Sequence, residues 1–186
     1  MAIRDTARHK LTYEDYLLFP DDGNRHEILD GEHYVSPAPK TKHQRISMAF
    51  SIRLGGFVEA YRRGHLFAAP LDVLLSKHDV AQPDLVFISN ERAAILTEDN
   101  VQGAPDLVIE ILSASTRWRD ENLKLQRYQE LGIQEYWIVD PFLERVNVFR
   151  RNGGRLELAE ELSAQAGDVL TTLLIGLRLP LAEIFA

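Results

Sequence analysis

The chain has 186 residues, 45% of them hydrophobic and 26% charged, with a formal net charge of −7 and no cysteine. This length and apolar content suit one soluble domain over residues 1–186 with a sizeable core, and the missing cysteine excludes disulfide frameworks and thiolate metal sites. The acidic balance weighs against avid binding to nucleic-acid phosphates unless basic residues cluster locally, and Arg62-Arg63, Arg150-Arg151 and the close pair Arg117 and Arg119 read as solvated faces. The opening residues MAIRDTARHK carry charge and no apolar run, which is the pattern of neither a signal peptide nor a membrane anchor. No stretch approaches the roughly 20 apolar residues of a membrane span, so a cytoplasmic protein is expected.

In chain order, residues 11–19 read as a short helix. Thr12 is its N-cap and Asp15, three residues on, makes a capping-box variant. Pro20-Asp21-Asp22-Gly23 then breaks the chain. Strands over 25–29 and 32–36 flank Asp30-Gly31, a two-residue hairpin signal. Ile46, Phe50, Leu54, Phe57, Val58 and Tyr61 give residues 42–62 helical spacing. Short aliphatic strands follow at 66–68, 71–76 and 84–88. The stretch 107–112 is almost wholly apolar and reads as a strand buried on both faces. A helix over 120–131 stops at Gly132. A strand at 135–139 and a hairpin of 146–150 with 155–158 come next. The apolar tail 179–185 is expected to pack on the core. The fold class is α/β (α+β), a mixed β-sheet flanked by helices.

Four residues stand out against this background. Glu110 interrupts Leu107-Val108-Ile109-Glu110-Ile111-Leu112 and by alternation shares a face with Val108 and Leu112. A carboxylate there is costly unless it is paired or bound to metal, and neighbours this apolar favour that use over an edge strand facing water. Asp84 follows Pro83 and opens its strand; alone it reads as a turn residue. Pro105-Asp106 repeats the pattern, so at least one of these two aspartates is expected to be structural. Two carboxylates on neighbouring strands can share one hard cation, since Mg²⁺ prefers oxygen ligands and keeps several waters. Lys124 falls on the helix stripe with Tyr128 and Leu131 that faces the sheet. Two readings stay open for it: a snorkelling surface lysine, or an ammonium reaching the reacting centre to steady negative charge. Glu27, in the hairpin, reads as exposed without further context, and Asp72 ranks below the others. The histidines show neither HxH nor HExxH spacing, which argues against a zinc enzyme, and His43 reads as an exposed helix-start residue rather than one leaning over a site. The motifs GxxxxGK[ST], GxGxxG and GxSxG are absent, against nucleotide-binding and serine-hydrolase classes.

Several longer runs carry a resemblance. They are Arg25-His26-Glu27-Ile28-Leu29-Asp30-Gly31-Glu32, Ala81-Gln82-Pro83-Asp84-Leu85-Val86-Phe87, and Gly103-Ala104-Pro105-Asp106-Leu107-Val108-Ile109-Glu110-Ile111-Leu112-Ser113. With them go Leu123-Lys124-Leu125-Gln126-Arg127-Tyr128 and residues 132–141. Together they resemble the Uma-two family of restriction-endonuclease-like proteins, which is similar to the PD-(D/E)XK nuclease superfamily. The resemblance implies one restriction-endonuclease-like domain and metal-assisted phosphodiester hydrolysis. It places Asp84 on the PD aspartate and Glu110 on the second acidic residue, the two holding Mg²⁺ or Mn²⁺. Glu27 matches the family's early glutamate. The lysine of the motif, two positions after Glu110, is here Leu112, so Lys124 stands as the migrated substitute. Nucleic acid as partner and a homodimer also follow from the resemblance, with the apolar tail offered as a dimer surface. The rival is a non-catalytic binding module on the same scaffold. A lysine reach of roughly 6 Å against a layer spacing of about 10 Å puts the Lys124 ammonium a water molecule away from Glu110. On that reading Lys124→Met is expected to keep the fold.

Overall fold

The structure is a computed structural model and describes residues 9–165, 167–169 and 171–186. A single helical turn α1 (Tyr13–Tyr16) comes first, closed at its N-terminus by the capping box of Thr12 and Asp15. It is shorter than expected from sequence: the break at Pro20 lies too close for the helix to gain further turns, and none of its residues is buried. Strands β1 (Arg25–Leu29) and β2 (Glu32–Ser36) form the hairpin. Asp30 at φ 51° and Gly31 at φ 79° supply the two left-handed residues that its tight turn demands. At Gly31 a Cβ would also strike the Lys10 side chain at 2.5 Å. Helix α2 (Thr41–Ala60) buries Ile46, Phe50, Leu54 and Val58 of the stripe read from sequence, while Phe57 is partly buried and Tyr61, at the C-cap, is exposed.

The chain then lays down β3 (Gly64–Ala68), β4 (Val73–Ser76), β5 (Asp79–Ala81), β6 (Leu85–Ser89), β7 (Val101–Gln102) and β8 (Leu107–Ile111). Residues Arg119–Lys124 form a π-helical turn that runs into α3 (Leu125–Leu131), and Gly132 at φ 95° ends it. After these come β9 (Glu135–Asp140), β10 (Arg145–Asn152), β11 (Arg155–Ser163), β12 (Asp168–Val169), β13 (Leu179–Pro180) and α4 (Leu181–Phe185). The β10–β11 hairpin is longer than the sequence indicates. Its outer strand carries charged residues that pair across the ladder, such as Arg145 with Glu161 at 2.6 Å.

Two mixed sheets arise instead of one. The six-stranded sheet has the order β11-β10-β9-β8-β6-β3, with β8 and β9 parallel and the other neighbours antiparallel. The five-stranded sheet has the order β2-β1-β5-β4-β7. Strand β8 is buried along its whole length. Leu107, Ile109 and Ile111 pack beneath α2 with Leu179, Leu181, Ile184 and Phe185 of the tail. Val108 and Leu112 face the other way, against Tyr128 of α3 and Leu29, Val73 and Ala81 of the smaller sheet. The tail is therefore consumed by the chain's own core, which removes the surface offered above for a dimer contact.

Asp79, which sequence reading passed over, ties the small sheet to α3. It is fully buried and accepts from the Asp30 N–H at 2.9 Å and from Arg127 Nε and Nη2 at 2.9 and 2.7 Å. Burial raises its pKa, but the hydrogen bonds of Arg127, Ser76 and Asp30 outweigh that and hold it below the usual aspartate value. A depressed folded pKa gives stability that is present above the unfolded pKa and lost as pH falls through the folded one. Asp79→Ala is expected to cost about 3–5 kcal/mol, because it takes the bidentate partner from Arg127, which keeps only the exposed Glu130 and the distant Asp30, and leaves the Asp30 N–H without its acceptor. An unchanged urea midpoint at pH 7 would refute this role.

Candidate active site

Asp84 stands directly before β6, whose antiparallel register with β8 pairs Leu85 with Ile109 and Val86 with Val108. Continued by one residue, that register sets Asp84 opposite Glu110. Directly opposed residues project to the same face of a sheet, here the face toward α3. The two carboxylates are each 3% exposed. Glu27, in the middle of β1, reaches the same point from the smaller sheet, and Arg25 joins it by the two-residue repeat of a strand. The π-helical turn puts Lys124 above all of them. Its Nζ donates to Glu110 Oε1 at 2.8 Å, lies 2.8 Å from Glu27 Oε1, and stands 3.5 Å from Asp120 Oδ1. The contact with Glu110 is direct, where the layer spacing had left room for a water. The i→i+5 repeat of a π turn brings Arg119 and Lys124, five residues apart, onto one face, and such turns recur at functional sites. Arg119, Asp120 and Lys124 are all buried as a result.

All four residues singled out from sequence meet in one cleft of about 940 Å³. Three of the sequence readings, those of Glu27, His43 and Arg119, are corrected, and of the two readings left open for Lys124 the snorkelling one falls away. Glu27 is 2% exposed, not a surface hairpin residue. Lys124, also 2% exposed, does not snorkel. His43 is buried and sets Nε2 3.1 Å from Asp84 Oδ2, because α2 starts over the mouth of the sheet. Arg119, read as a solvated face, is buried too: it donates to Ser36 Oγ, approaches Glu27 Oε2 at 3.5 Å and lies 5.4 Å over the Tyr34 ring. Asp106 is the structural member of the Pro-Asp pair, accepting from the Ser89 N–H at 2.7 Å. Asp72 accepts from Tyr16 Oη and Gln82 Nε2. Arg25, Asp120 and Tyr128 were not singled out for the site. Asp120 was legible through its four-residue spacing from Lys124, Tyr128 through its place on the same stripe, and Arg25 through its alternation with Glu27.

The electrostatics separate the carboxylates. Burial pushes Glu110 up to about 8; Lys124 pulls against this, while Asp120, Asp84 and Glu27 add to it. Burial acts on Glu27 as well, but Lys124 and Arg119 hold it below the normal glutamate value. Asp84 is likewise lowered despite burial, by His43, Arg25 and the Ile111 N–H. Asp120 is raised by burial, and its Oδ1 is buried without a hydrogen-bond partner. Lys124 is raised, its three carboxylate neighbours overcoming desolvation.

Glu110 and Asp84 are hard oxygen donors on one face, so they suit a hard cation. Among the described residues no group of three or more His, Asp or Glu is placed to hold an ion. A cation here would take two carboxylates and complete its shell with water, as Mg²⁺ does. Charge around the cleft is balanced, in contrast to the chain as a whole: Arg25, Lys40, Lys42, Arg117, Arg119 and Lys124 face five carboxylates. Most of these cations are spent on carboxylates, as in Arg25 with Asp84, Arg117 with Asp140 and Lys124 with Glu110, so the cleft is near neutral and is not the basic cluster that the composition had left as a condition for phosphate binding. No helix among the described residues is long and apolar enough to cross a membrane.

Comparison with known proteins bears on the same cleft. The family Uma2, described as "Putative restriction endonuclease", matches residues 13–182, a span that holds every residue named above for the site. A Synechocystis sp. protein, uncharacterized protein sll1609, is 27% identical over 165 residues, covering 86% of this chain and 91% of its own. The crystal structure of a protein from Anabaena variabilis, described as a putative nuclease belonging to DUF820, superposes with a TM-score of 0.79 at 21% identity. It covers 94% of this chain and 97% of the other. At that identity the likeness speaks for the fold.

Proposed function

The chain belongs to the Uma2 family, and from that premise we propose that it is a metal-dependent nuclease hydrolysing phosphodiester bonds of nucleic acid. One observation carries the reading: Asp84 and Glu110 face each other across β6 and β8 with a buried lysine held on Glu110. Asp84 and Glu110 would hold Mg²⁺ or Mn²⁺, which when bound polarises a phosphate and lowers the pKa of its water. The chain's own residues do the rest. Lys124 brings a fixed positive charge to the place where negative charge develops on the phosphoryl oxygens. Glu27 holds Lys124 and Arg119 in position from the other sheet. Tyr128 donates its hydroxyl to Glu110 Oε1 at 2.9 Å and fixes that carboxylate's orientation.

A second reading, a non-catalytic binding module, is favoured by the state of Asp84. Its Oδ1 accepts from Arg25 at 2.8 Å, and its Oδ2 from the Ile111 N–H at 2.8 Å with His43 beside it. Cation binding therefore requires Arg25 or His43 to move aside. Calorimetric titration with Mg²⁺ and Mn²⁺, beside a cleavage assay on plasmid and single strands, decides between the two. The nuclease predicts metal-dependent cleavage stopped by EDTA and lost in Asp84→Asn. Neither heat of metal binding nor cleavage would leave the module. A homodimer and a cytoplasmic location belong to the same proposal, and a monomer mass by light scattering removes the dimer.

A further inference from the structure

Resting on the nuclease reading, we propose that the substrate is a single strand of nucleic acid, with Phe142 at the cleft mouth as the platform on which a base stacks. Phe142 is 87% exposed, on the turn between β9 and β10, and it lines the cleft. Other large apolar side chains of the chain are exposed too, Leu18, Trp118 and Tyr61 among them; what sets Phe142 apart is that it lines the cleft that holds the buried carboxylates. Its turn is held rigidly: Asp140 Oδ1 accepts from the Phe142 N–H at 2.8 Å and the Leu143 N–H at 3.0 Å. The other oxygen of Asp140 holds Arg117 at 2.8 Å. One buried carboxylate thus fixes both the backbone that carries the ring and a guanidinium, which Glu121 also pairs at 3.0 Å, on the same lip. On the facing lip, at the start of α2, stand the exposed Lys40 and Lys42. A stacking ring with cations beside it is the pairing that sequence-tolerant single-strand binders use, the ring taking a base and the cations its phosphates.

The shape of the cleft selects against a duplex. The carboxylates on the floor are each 3% exposed or less, and the link across the lips, Lys42 Nζ to Glu144 Oε1 at 3.3 Å, is an exposed pair that an entering strand displaces at little cost. A stiff duplex carries its phosphates on a convex surface and stacks its bases internally, so it offers neither a free base face to Phe142 nor a phosphate that reaches such a floor. A flexible strand can lay a base on Phe142 and bend the adjoining phosphate inward. DNA and RNA share these groups, and the site makes no choice between them through Phe142.

The test is fluorescence anisotropy of the full chain with labelled oligothymidine, labelled oligouridine and a duplex of equal length, with Ca²⁺ in place of Mg²⁺ to prevent cutting. At least one of the single strands is expected to bind about tenfold or more tightly than the duplex, the preferred one naming the substrate. Phe142→Ala is expected to lose about tenfold of that affinity and Phe142→Trp to keep it. Because Phe142 is exposed, both variants should fold as the parent does. Duplex binding as tight as single-strand binding, or a Phe142→Ala variant that binds strands like the parent, overturns the proposal. If plasmid is still cut with metal, the nuclease reading survives that result. Absence of any binding together with absence of any cleavage brings down the nuclease reading and the proposal with it.

Discussion

Lys124→Met is expected to cut metal-dependent cleavage by about 100-fold or more and to lower stability by about 3–5 kcal/mol. The second effect is where the structure departs from the expectation that an apolar stem suffices to keep the fold intact. Lys124 touches three buried carboxylates, those of Glu27, Glu110 and Asp120. Methionine fills the volume but removes the one ammonium that Glu110, Glu27 and Asp120 share, leaving only Arg119 beside Glu27, and the loss is a large part of the 5–15 kcal/mol that ordinary domains possess. Reduced cleavage in the single variant is therefore ambiguous, and a double variant resolves it. Lys124→Met with Glu110→Gln removes one carboxylate along with the ammonium, so it should recover part of the lost stability while cleavage stays absent. Non-additive unfolding energies from urea melts would show the coupling of a contacting pair. If Lys124→Met cleaves at the parent rate at a temperature where it is folded, Lys124 is a structural ion-pair residue only.

Glu110 was legible in the sequence because local pattern and chemistry conflict there. A run that demands burial contains one carboxylate, and the fold resolves the conflict with Lys124 and Tyr128. Strand β8, the α2 stripe and the Asp30-Gly31 turn were legible for the same kind of local reason, since period and turn chemistry are written in neighbouring residues. Glu27 and His43 were not. Each sits where a polar residue is normally solvated, and each is buried only because a distant element closes over it. For Glu27 that element is the helix bearing Arg119 and Lys124; for His43 it is the strand opening at Asp84. Splitting of the strands into two sheets was hidden likewise, because pairings such as β1 with β5 and β4 with β7 join residues far apart in sequence. The resemblance to a family assembled the site residues before any pairing was known, yet it carried nothing about Arg119 or the π-helical turn.

Glu110→Gln is expected to separate stability from function in opposite directions. Glu110 has a folded pKa pushed up to about 8 from 4.5. A carboxyl raised in this way contributes stability that is fully present below the unfolded value and lost as pH rises through the folded one, the window here running from about 4.5 to about 8. Glutamine keeps the shape of the protonated acid, accepts from Lys124 and Tyr128 through its carbonyl, and cannot ionise. Its stability should therefore fall less than the parent's across that window, and the variant should be at least as stable as the parent above pH 8. Metal binding needs the ionised carboxylate, so parent affinity for Mg²⁺ or Mn²⁺ should climb with pH toward the pKa of Glu110, with protons released on binding. The variant should show neither the climb nor appreciable cleavage. Asp84→Asn provides the contrast. Asp84 is held ionised by Arg25, His43 and the Ile111 N–H, so its neutral isostere should lose stability as well as cleavage. Melts of the three proteins between pH 5 and pH 9, beside calorimetric metal titrations at the same pH values, measure both halves. A Glu110→Gln variant that binds metal like the parent would remove Glu110 from the cation site and leave it as the ion-pair partner of Lys124.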